Sequence, residues 1–459
     1  MSIGVIVLAA GKGTRMRTDI AKVLHTAAGR TLLGWVMEAA SSLDPDEIAV
    51  VVGHQADEVA QGLPEGAVAV VQEPQNGTGH ATQVGLSGFT RSHEIVVVIP
   101  GDMPLVRPGS LGRLVAQHTQ TNAGATVLTV ELEHPDGYGR ILRTGEAVIA
   151  IVEERDATRE QRTITEVNTS VYAFDGALLA DALGRIGDDN DQGEKYLTDV
   201  IGVLVLDGSS VSAVTGDPEE GIGVNSQAQL AEVAGHLRSR INTRLLDSGV
   251  WMLDPGRVYI DADVSVAPGT EIYPDTYISG SSVIGAGVSI GPSVQMHDSS
   301  IGDGTTVVNA VLCEATVGSN ASIGPYAYLR PGAVLKDGAK AGTYVEIKNS
   351  EIGARSKVPH LSYIGDTTIG EDTNIGAATV TVNYDGFKKQ RTRIGDRVKI
   401  GSDTMLVAPV TVGDDAFTGA GSVITHDVPE GSLGIERASQ RIITGYSEKR
   451  QRRAEKESD

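Results

Sequence analysis

An aliphatic residue returns at every sixth position through most of the stretch from Ile260 to Ile424, and that period constrains the fold more than any other feature of the chain. The count runs Ile260, Val266, Ile272, Ile278, Ile284, Ile290 and Met296. After a slip of one it passes Ile301 and Val307, then resumes at Val311, Val317, Ile323, Leu329, Leu335, Ala341 and Ile347. It goes on through Ile352, Val358 and Ile364, with a last run at Ile394, Ile400, Leu406, Val412, Thr418 and Ile424. Such a period matches neither a helix, at about 3.6, nor a simple strand, at about 2. A coil of three short flat faces does match it: each rung points one aliphatic residue inward, and three rungs close a triangular turn.

Glycine often follows the inward residue, as at Gly285, Gly302, Gly353, Gly370 and Gly395, where a corner turns sharply or approaches the next rung. A small or β-branched residue often stands four places on, as at Thr270, Val288, Val398 and Thr404. A sandwich of short strands also produces regular turns, but at a spacing of about 8 to 12 residues that rarely holds one period for so long. Cys313, the only cysteine, excludes an internal disulfide and a cysteine zinc site, and its place in the count predicts a core residue.

At 459 residues the chain exceeds one typical domain. Its formal charge of -21 argues against nucleic acid as a general partner and requires any anionic substrate to be met by local cations or backbone amides. No basic leader precedes the first apolar run and no apolar run approaches the length of a membrane span, so a cytoplasmic protein without a membrane partner is expected.

The N-terminal half alternates as an α/β domain does. Ile3 to Leu8 reads as a strand, and Ala9-Ala10-Gly11-Lys12-Gly13-Thr14-Arg15-Met16 as a glycine loop entering a helix. Glycines let backbone N–H groups close around a phosphate, and Lys12, Arg15 and Lys22 add countercharge; a tight turn without a ligand uses the same residues. Thr31 to Leu43 carries helical spacing, and Ile48–Val52 and Val68–Val71 read as buried strands. Glu94 to Ile99 is a further strand, ending in Pro100-Gly101-Asp102. Ligands of open α/β sheets sit beyond the carboxyl ends of strands, which places Asp102 either to hold a metal ion or simply to start a turn. Polar patches at Gln72 to His80, Gly137 to Arg140, Glu153 and Val167 to Thr169 read equally as site loops or as ordinary loops. Ser226 with Gln229 forms a capping box opening a long helix that reaches Gly249 and links the two halves, and Asn225 before it is either cap or ligand.

Leu8 to Met16 with Lys22 resembles the signature of sugar-1-phosphate nucleotidyltransferases, and the hexads resemble the left-handed β-helix of hexapeptide acyltransferases. Their combination, over nearly the whole chain, is similar to the family of bacterial enzymes that unite an N-acetylglucosamine-1-phosphate uridyltransferase with a glucosamine-1-phosphate N-acetyltransferase. The resemblance implies a Rossmann-like mixed-sheet domain over 1–225, a linker helix over 226–249, a left-handed parallel β-helix over 250–446 and a charged tail over 447–459, disordered or a short solvated helix. For the first site it implies that Leu8, Ala9, Gly11, Gly13, Arg15, Lys22, Gln72, Gly77 and Thr78 hold UTP. Gly139, Glu153, Asn168 and Asn225 would contact the sugar phosphate, and Asp102 with Asn225 would bind Mg²⁺. Arg15 and Lys22 would neutralise charge while a sugar phosphate oxygen attacks the α-phosphorus and pyrophosphate leaves. Ala21 departs from the family, which has proline there, and this predicts a looser loop.

For the second site, Arg330 and Lys348 are cations on a scaffold that needs none. His360 stands beside an inward position, and Asn383 to Arg393 breaks the count and must leave the coil as a loop. An exposed histidine or a basic loop is also ordinary surface. The resemblance assigns His360 as general base for attack of the sugar amine on acetyl-CoA, with Glu346 orienting it. It gives Arg330, Lys348, Tyr363, Asn374, Asn383 and Tyr384 to the sugar phosphate, and Ala377, Ser402, Ala420 and Arg437 to acetyl-CoA. Ala378 stands where many relatives have glycine. The family forms homotrimers and supplies UDP-N-acetylglucosamine to cell-wall peptidoglycan and lipopolysaccharide. The alternative is a single-function nucleotidyltransferase whose β-helix only trimerises; His360, Arg330 and the inserted loop count against it.

Overall fold

The structure is a computed structural model that describes residues 1–190 and 192–457. It forms two compact units, divided between Ile241 and Asn242.

The first unit is built on the strand Ile3–Ala9, apolar on both faces as a central parallel strand must be. Parallel strands Glu47–Val52 and Ile95–Pro100 flank it. The sheet continues outward to Ala67–Val71 on one side; on the other come Glu166–Asp175, Ala125–Glu131 and Val211–Thr215. Glu166–Asp175 runs antiparallel to both its neighbours, so the sheet is mixed. Side chains alternate between two cores. Val5 and Val7 pack with Leu33, Val36, Leu111 and Leu114 of helices Leu32–Ser41 and Pro108–Thr121. Ile6 packs with Leu179, Ile201 and Leu204 of Gly176–Leu183 and Asp199–Leu206. One expected buried strand is instead an edge: Val68 and Val71 are exposed because Ala67–Val71 has a neighbour on one side only.

The long helix spans Gln227–Asp247, and the boundary between the units falls inside it. Its Val233 and Leu237 pack with Leu32 and Leu105. Glu219 grips the same helix, taking Arg240 at 2.6 Å and His236 at 2.8 Å while also binding Arg107. Burial pushes the Glu219 carboxyl up, but the bonds from Arg107 and Arg240 outweigh it and bring it down to about 2.

The second unit is a left-handed parallel β-helix. Its strands fall into three parallel sheets in which each strand pairs with the third one along the chain, until Phe417–Thr418 pairs with the second, Leu433–Gly434. Registered positions stack like on like: Ile260, Ile278, Met296, Leu312, Leu329, Ile347 and Ile364 form one inner column. All are buried, and burying side chains of this size is the main stabilising term. The fourth position is also internal, with Thr270, Val288, Val398 and Thr404 buried.

Two expectations change. The inward residue is Leu312, 1 % exposed, and Val311, 39 % exposed, points outward, so the count slips once more than the sequence reading allowed. Cys313 is therefore not core: it sits beside the inward residue and is half-buried. The glycines after the inward residues serve close approach at Gly353 and Gly395, while Gly291 and Gly324 also hold positive φ, +106° and +92°. A Cβ at Gly353 would lie 2.2 Å from the Gly370 carbonyl oxygen, and one at Gly395 would lie 2.8 Å from the Asp414 nitrogen. At another corner the positive φ falls on Tyr326, Tyr344, Leu361 and Ala378.

Residues 383–391 leave the coil, and the register resumes with Thr392 opposite Thr367. The loop is closed by a bridge between Tyr384 and Lys389, and Asp385 Oδ1 accepts from the backbone of Phe387 and Lys388. The tail forms an exposed helix, Tyr446–Lys456, and Ser458 and Asp459 lie outside the described residues.

The register makes a direct prediction. Leu312→Ala leaves a cavity inside the coil and should destabilise the β-helix by about 2–5 kcal/mol. Val311→Ala should stay within about 0.5 kcal/mol, as exposed substitutions do. Denaturant midpoints of the β-helix transition check both.

Candidate active sites

The first site lies at the carboxyl ends of Ile3–Ala9 and Ile95–Pro100. Gly101 N donates to Leu8 O at 2.8 Å, which sets Asp102 beside the glycine loop. Gly13 has φ +59°, and a Cβ there would meet that of Lys22 at 2.7 Å, so this glycine lets the loop close over the lysine. Lys22 Nζ donates to Asp102 and, at 3.2 Å, to Asn225 Oδ1. Asn225 reaches this point because Val224 N donates to the Asp102 carbonyl at 2.9 Å. Its backbone N donates to Gln229 Oε1 at 2.9 Å, while its side-chain Oδ1 accepts from Lys22. Gly11 has open space around it, and Arg15 is exposed, with no ion-pair partner among the described residues.

A second loop adjoins the first through Gln75, whose Nε2 donates to Ala10 O at 2.8 Å, a contact sequence reasoning missed. Gln72 is buried and donates to Gly77 O at 3.1 Å. Gly77, at φ +93°, has no room for a side chain: a Cβ would lie 2.6 Å from Lys195 O. Thr78 opens the helix Thr78–Leu86 and accepts from Leu197 N at 3.0 Å.

Gly139, Glu153 and Asn168 form a group of their own. Asn168 N donates to Gly139 O at 2.9 Å, and a Cβ on Gly139 would stand 3.5 Å from Glu153 Oε2. The strand carrying Asn168 shifts register between Asn168 and Val171, with Ser170 at φ +62°. Asn168 Nδ2 donates to the buried Tyr172 hydroxyl at 2.7 Å. Glu153 accepts from Thr198 at 3.1 Å, and burial raises its carboxyl above the usual range despite that bond. No hydrogen bond joins this group to Lys22, Asp102 or Asn225 among the described residues.

Two hard oxygen donors, Asp102 and Asn225, converge on one ammonium group. Among the described residues there is no cluster of three or more His, Cys, Asp or Glu. That donor set suits Mg²⁺, which takes one or two protein oxygens and completes its shell with water and phosphate. It does not suit zinc.

The second site lies on the β-helix. Arg330, Lys348 and Gly365 stand in register on one sheet, beside the registered set Tyr328, Glu346 and Tyr363. A Cβ on Gly365 would lie 2.5 Å from the Tyr363 hydroxyl and 2.7 Å from Asn383 Nδ2, so glycine lets the tyrosine fold across to Asn383. Glu346 Oε1 accepts from Arg330 Nη1 at 2.8 Å, and this bond raises the guanidinium. His360 is on a different sheet, paired with Thr343, and is exposed. Asn374 pairs with Lys357 and Lys399, away from Tyr363, and Tyr384 donates within its own loop to Gly386 O.

Below His360 runs a corner column. Ala378 N donates to His360 O at 3.3 Å, Asp403 N to Ala377 O at 2.7 Å and Gly421 N to Ser402 O at 2.8 Å. Arg437 Nη1 donates to Ala420 O at 2.8 Å. The structure thus brings Ala377, Ser402, Ala420 and Arg437 into one line that ends at His360. Ala378 holds φ +60°, where a glycine would be unstrained. Asp366, absent from the sequence reading, is buried and binds Asn349 and Asn383.

Comparison with known proteins agrees with both halves. Residues 5–174 match the MobA-like NTP transferase domain family, and residues 391–426 match the bacterial transferase hexapeptide repeat. The chain is 49% identical to the "Bifunctional protein GlmU" of Streptomyces avermitilis, over 96% of this chain and 93% of that one. The protein of the same name from Mycolicibacterium gilvum is 46% identical over 96% and 91%, and that of Corynebacterium glutamicum (strain R) 44% over 98% and 94%.

Ala21 already holds φ -54°, the value proline imposes, and its N–H donates to no group among the described residues. The loop is therefore not looser in its folded form. Ala21→Pro should stabilise the first unit by about 0.4–1 kcal/mol by restricting the unfolded chain, as read from its unfolding midpoint.

Proposed function

The chain belongs to the family of bifunctional GlmU proteins, and on that premise we propose how the residues of each site act. It is a bifunctional transferase: one half moves acetyl from acetyl-CoA to glucosamine-1-phosphate, and the other moves uridylyl from UTP to N-acetylglucosamine-1-phosphate, releasing pyrophosphate. The observation that carries the reading is that one chain holds both constellations: Lys22, Asp102 and Asn225 at the sheet ends, and the column from His360 to Arg437 on the coil.

At the sheet site, backbone N–H groups of the Gly11–Gly13 loop and the side chains of Arg15 and Lys22 hold the triphosphate, with Leu8, Ala9, Gln72, Gly77 and Thr78 around the nucleotide. Gly139, Glu153 and Asn168 orient the sugar so that its phosphate oxygen lies in line with the α-phosphorus. Asp102 and Asn225 hold Mg²⁺, which when bound neutralises phosphate charge. No covalent enzyme intermediate is needed, because positioning and charge neutralisation account for this chemistry.

On the coil, Arg330, Lys348, Tyr363 and Asn383 hold the sugar phosphate. Ala377, Ser402, Ala420 and Arg437 hold acetyl-CoA along the corner column, with its thioester near His360. The amine attacks the thioester carbon, the carbon–sulfur bond breaks, and His360 takes the amine proton and passes it to the departing thiolate. Glu346 acts through Arg330, its partner in the structure. A homotrimer, with neighbouring coils completing each acetyl-transfer site, and a cytoplasmic location complete the proposal. Hexapeptide folds that carry a protruding loop support the first, and acetyl-CoA and UTP as substrates support the second.

Two variants test the division of labour. Asp102→Ala should lower UTP-dependent pyrophosphate release by about 100-fold or more and leave thiol release within twofold. His360→Ala should lower thiol release by about 10²–10⁴-fold and spare pyrophosphate release. Loss of both activities in either folded variant contradicts two independent sites.

A further inference from the structure

Asp366 stands between the strands Tyr363–Gly365 and Thr367–Ile369, at a corner with φ +50°, and is 5 % exposed. A buried carboxylate is costly unless its oxygens are bonded, and both oxygens of this one are. Asn349 Nδ2 donates at 2.6 Å and Asn383 Nδ2 at 2.5 Å. The backbone is held as well, with Asp366 N donating to Lys348 O at 3.0 Å. Burial pushes the carboxyl up, but the two amides, then Lys348 and Lys389, outweigh it and hold it below the usual range.

The two lysines are near neighbours. Lys389, from the inserted loop, is held below the ordinary lysine range, first by its contact with Lys348 and by that charge, while Asp366 and Tyr363 pull it the other way. Arg330 and Glu346, nearby on the coil, neutralise each other. Asp366 is thus the buried anion serving two ammonium groups. It cannot itself take a sugar phosphate, since two anions repel, so any role it has is exerted through the groups it holds. With one Nδ2 hydrogen given to Asp366, the Asn383 amide is fixed in orientation, its carbonyl oxygen and second N–H left to meet a ligand.

We infer that Asp366 is a positioning residue for acetyl transfer: it fixes the amide of Asn383 and supplies the negative charge that lets Lys348 and Lys389 share one phosphate pocket. This rests on the acetyltransferase reading of the coil. In Asp366→Asn the carboxylate is gone, and an amide replaces one acceptor with a donor that faces another donor. Losing the anion removes a charge that favours the Lys389 ammonium beside Lys348. As pH rises, Lys389 then loses its proton sooner and the phosphate is bound less.

The experiment is steady-state acetyl transfer by the full-length protein, varying glucosamine-1-phosphate at pH 7 and pH 9. Asp366→Asn should raise KM for the sugar phosphate by about 10-fold or more at pH 7, the loss anticipated for a buried charged hydrogen bond. That KM should climb further at pH 9, in contrast to a flat wild-type profile. The kcat, the KM for acetyl-CoA and pyrophosphate release should stay within twofold. A wild-type KM at both pH values overturns the inference, and so does an equal rise in both KM values without pH dependence, which marks a structural role. Should Asp366→Asn not fold, Asn349→Gly decides. It accepts the φ of +44° at that position and deletes one of the two amide donors to Asp366 while leaving the carboxylate in place, so KM for the sugar phosphate should rise about threefold, less than for loss of the charge itself; an unchanged KM overturns the inference. Wild-type protein that releases no thiol at all brings down the acetyltransferase reading itself, an outcome distinct from a variant that matches an active wild type.

Discussion

The second unit depends on one repeated contact: an inward aliphatic side chain resting on its counterpart one coil away. Ile347 lies between Leu329 and Ile364, and the same holds along the column from Ile260. Each coil alone would expose its inner face, so it is the stacking that removes that surface from water. Because the strands are parallel and in register, every outward residue is stacked too. That consequence matters for chemistry: Arg330 above Lys348, and His360 at the head of the Ala377 to Arg437 corner, are placed by the inner ladder. A rigid ladder is a good base for a site that must hold two substrates within reacting distance.

Both sites solve the same electrostatic problem. A chain of net charge -21 has to bind phosphates. The proposed sites meet them with cations set against a few anchoring oxygens. Lys22 is held by Asp102 and Asn225, and the charge of Asp366 acts on Lys348 and Lys389. Close approach by backbone is the other shared device: Gly13 allows the loop to close on Lys22, and Gly365 allows Tyr363 to reach Asn383.

Much of this was legible in the sequence because it is periodic or local. The hexads announce the coil, and the break at Asn383 announces the loop. The glycine loop after Ile3–Ala9 and the Asp after Ile95–Pro100 follow from strand-end logic. What stayed hidden is what depends on register. Val311 and Leu312 are both aliphatic, so only stacking on Met296 shows which one faces inward. The same slip moved Cys313 out of the core. Val68–Val71 looks like a central strand until its missing neighbour is seen. Asp366 reads as one more corner aspartate, like Asp303 or Asp337; only three-dimensional proximity to Asn349 and Asn383 sets it apart. Glu346 and His360 are close in the chain yet on different sheets, which no spacing argument reveals.

The central claim is that one chain carries out two transfers in sequence. The direct measurement supplies purified protein with glucosamine-1-phosphate and acetyl-CoA, then adds UTP with Mg²⁺, and follows free thiol and pyrophosphate separately. Thiol before UTP and pyrophosphate after it is the predicted result. Pyrophosphate only when N-acetylglucosamine-1-phosphate is supplied ready-made, with no thiol at any stage, would contradict the claim and leave the β-helix a scaffold.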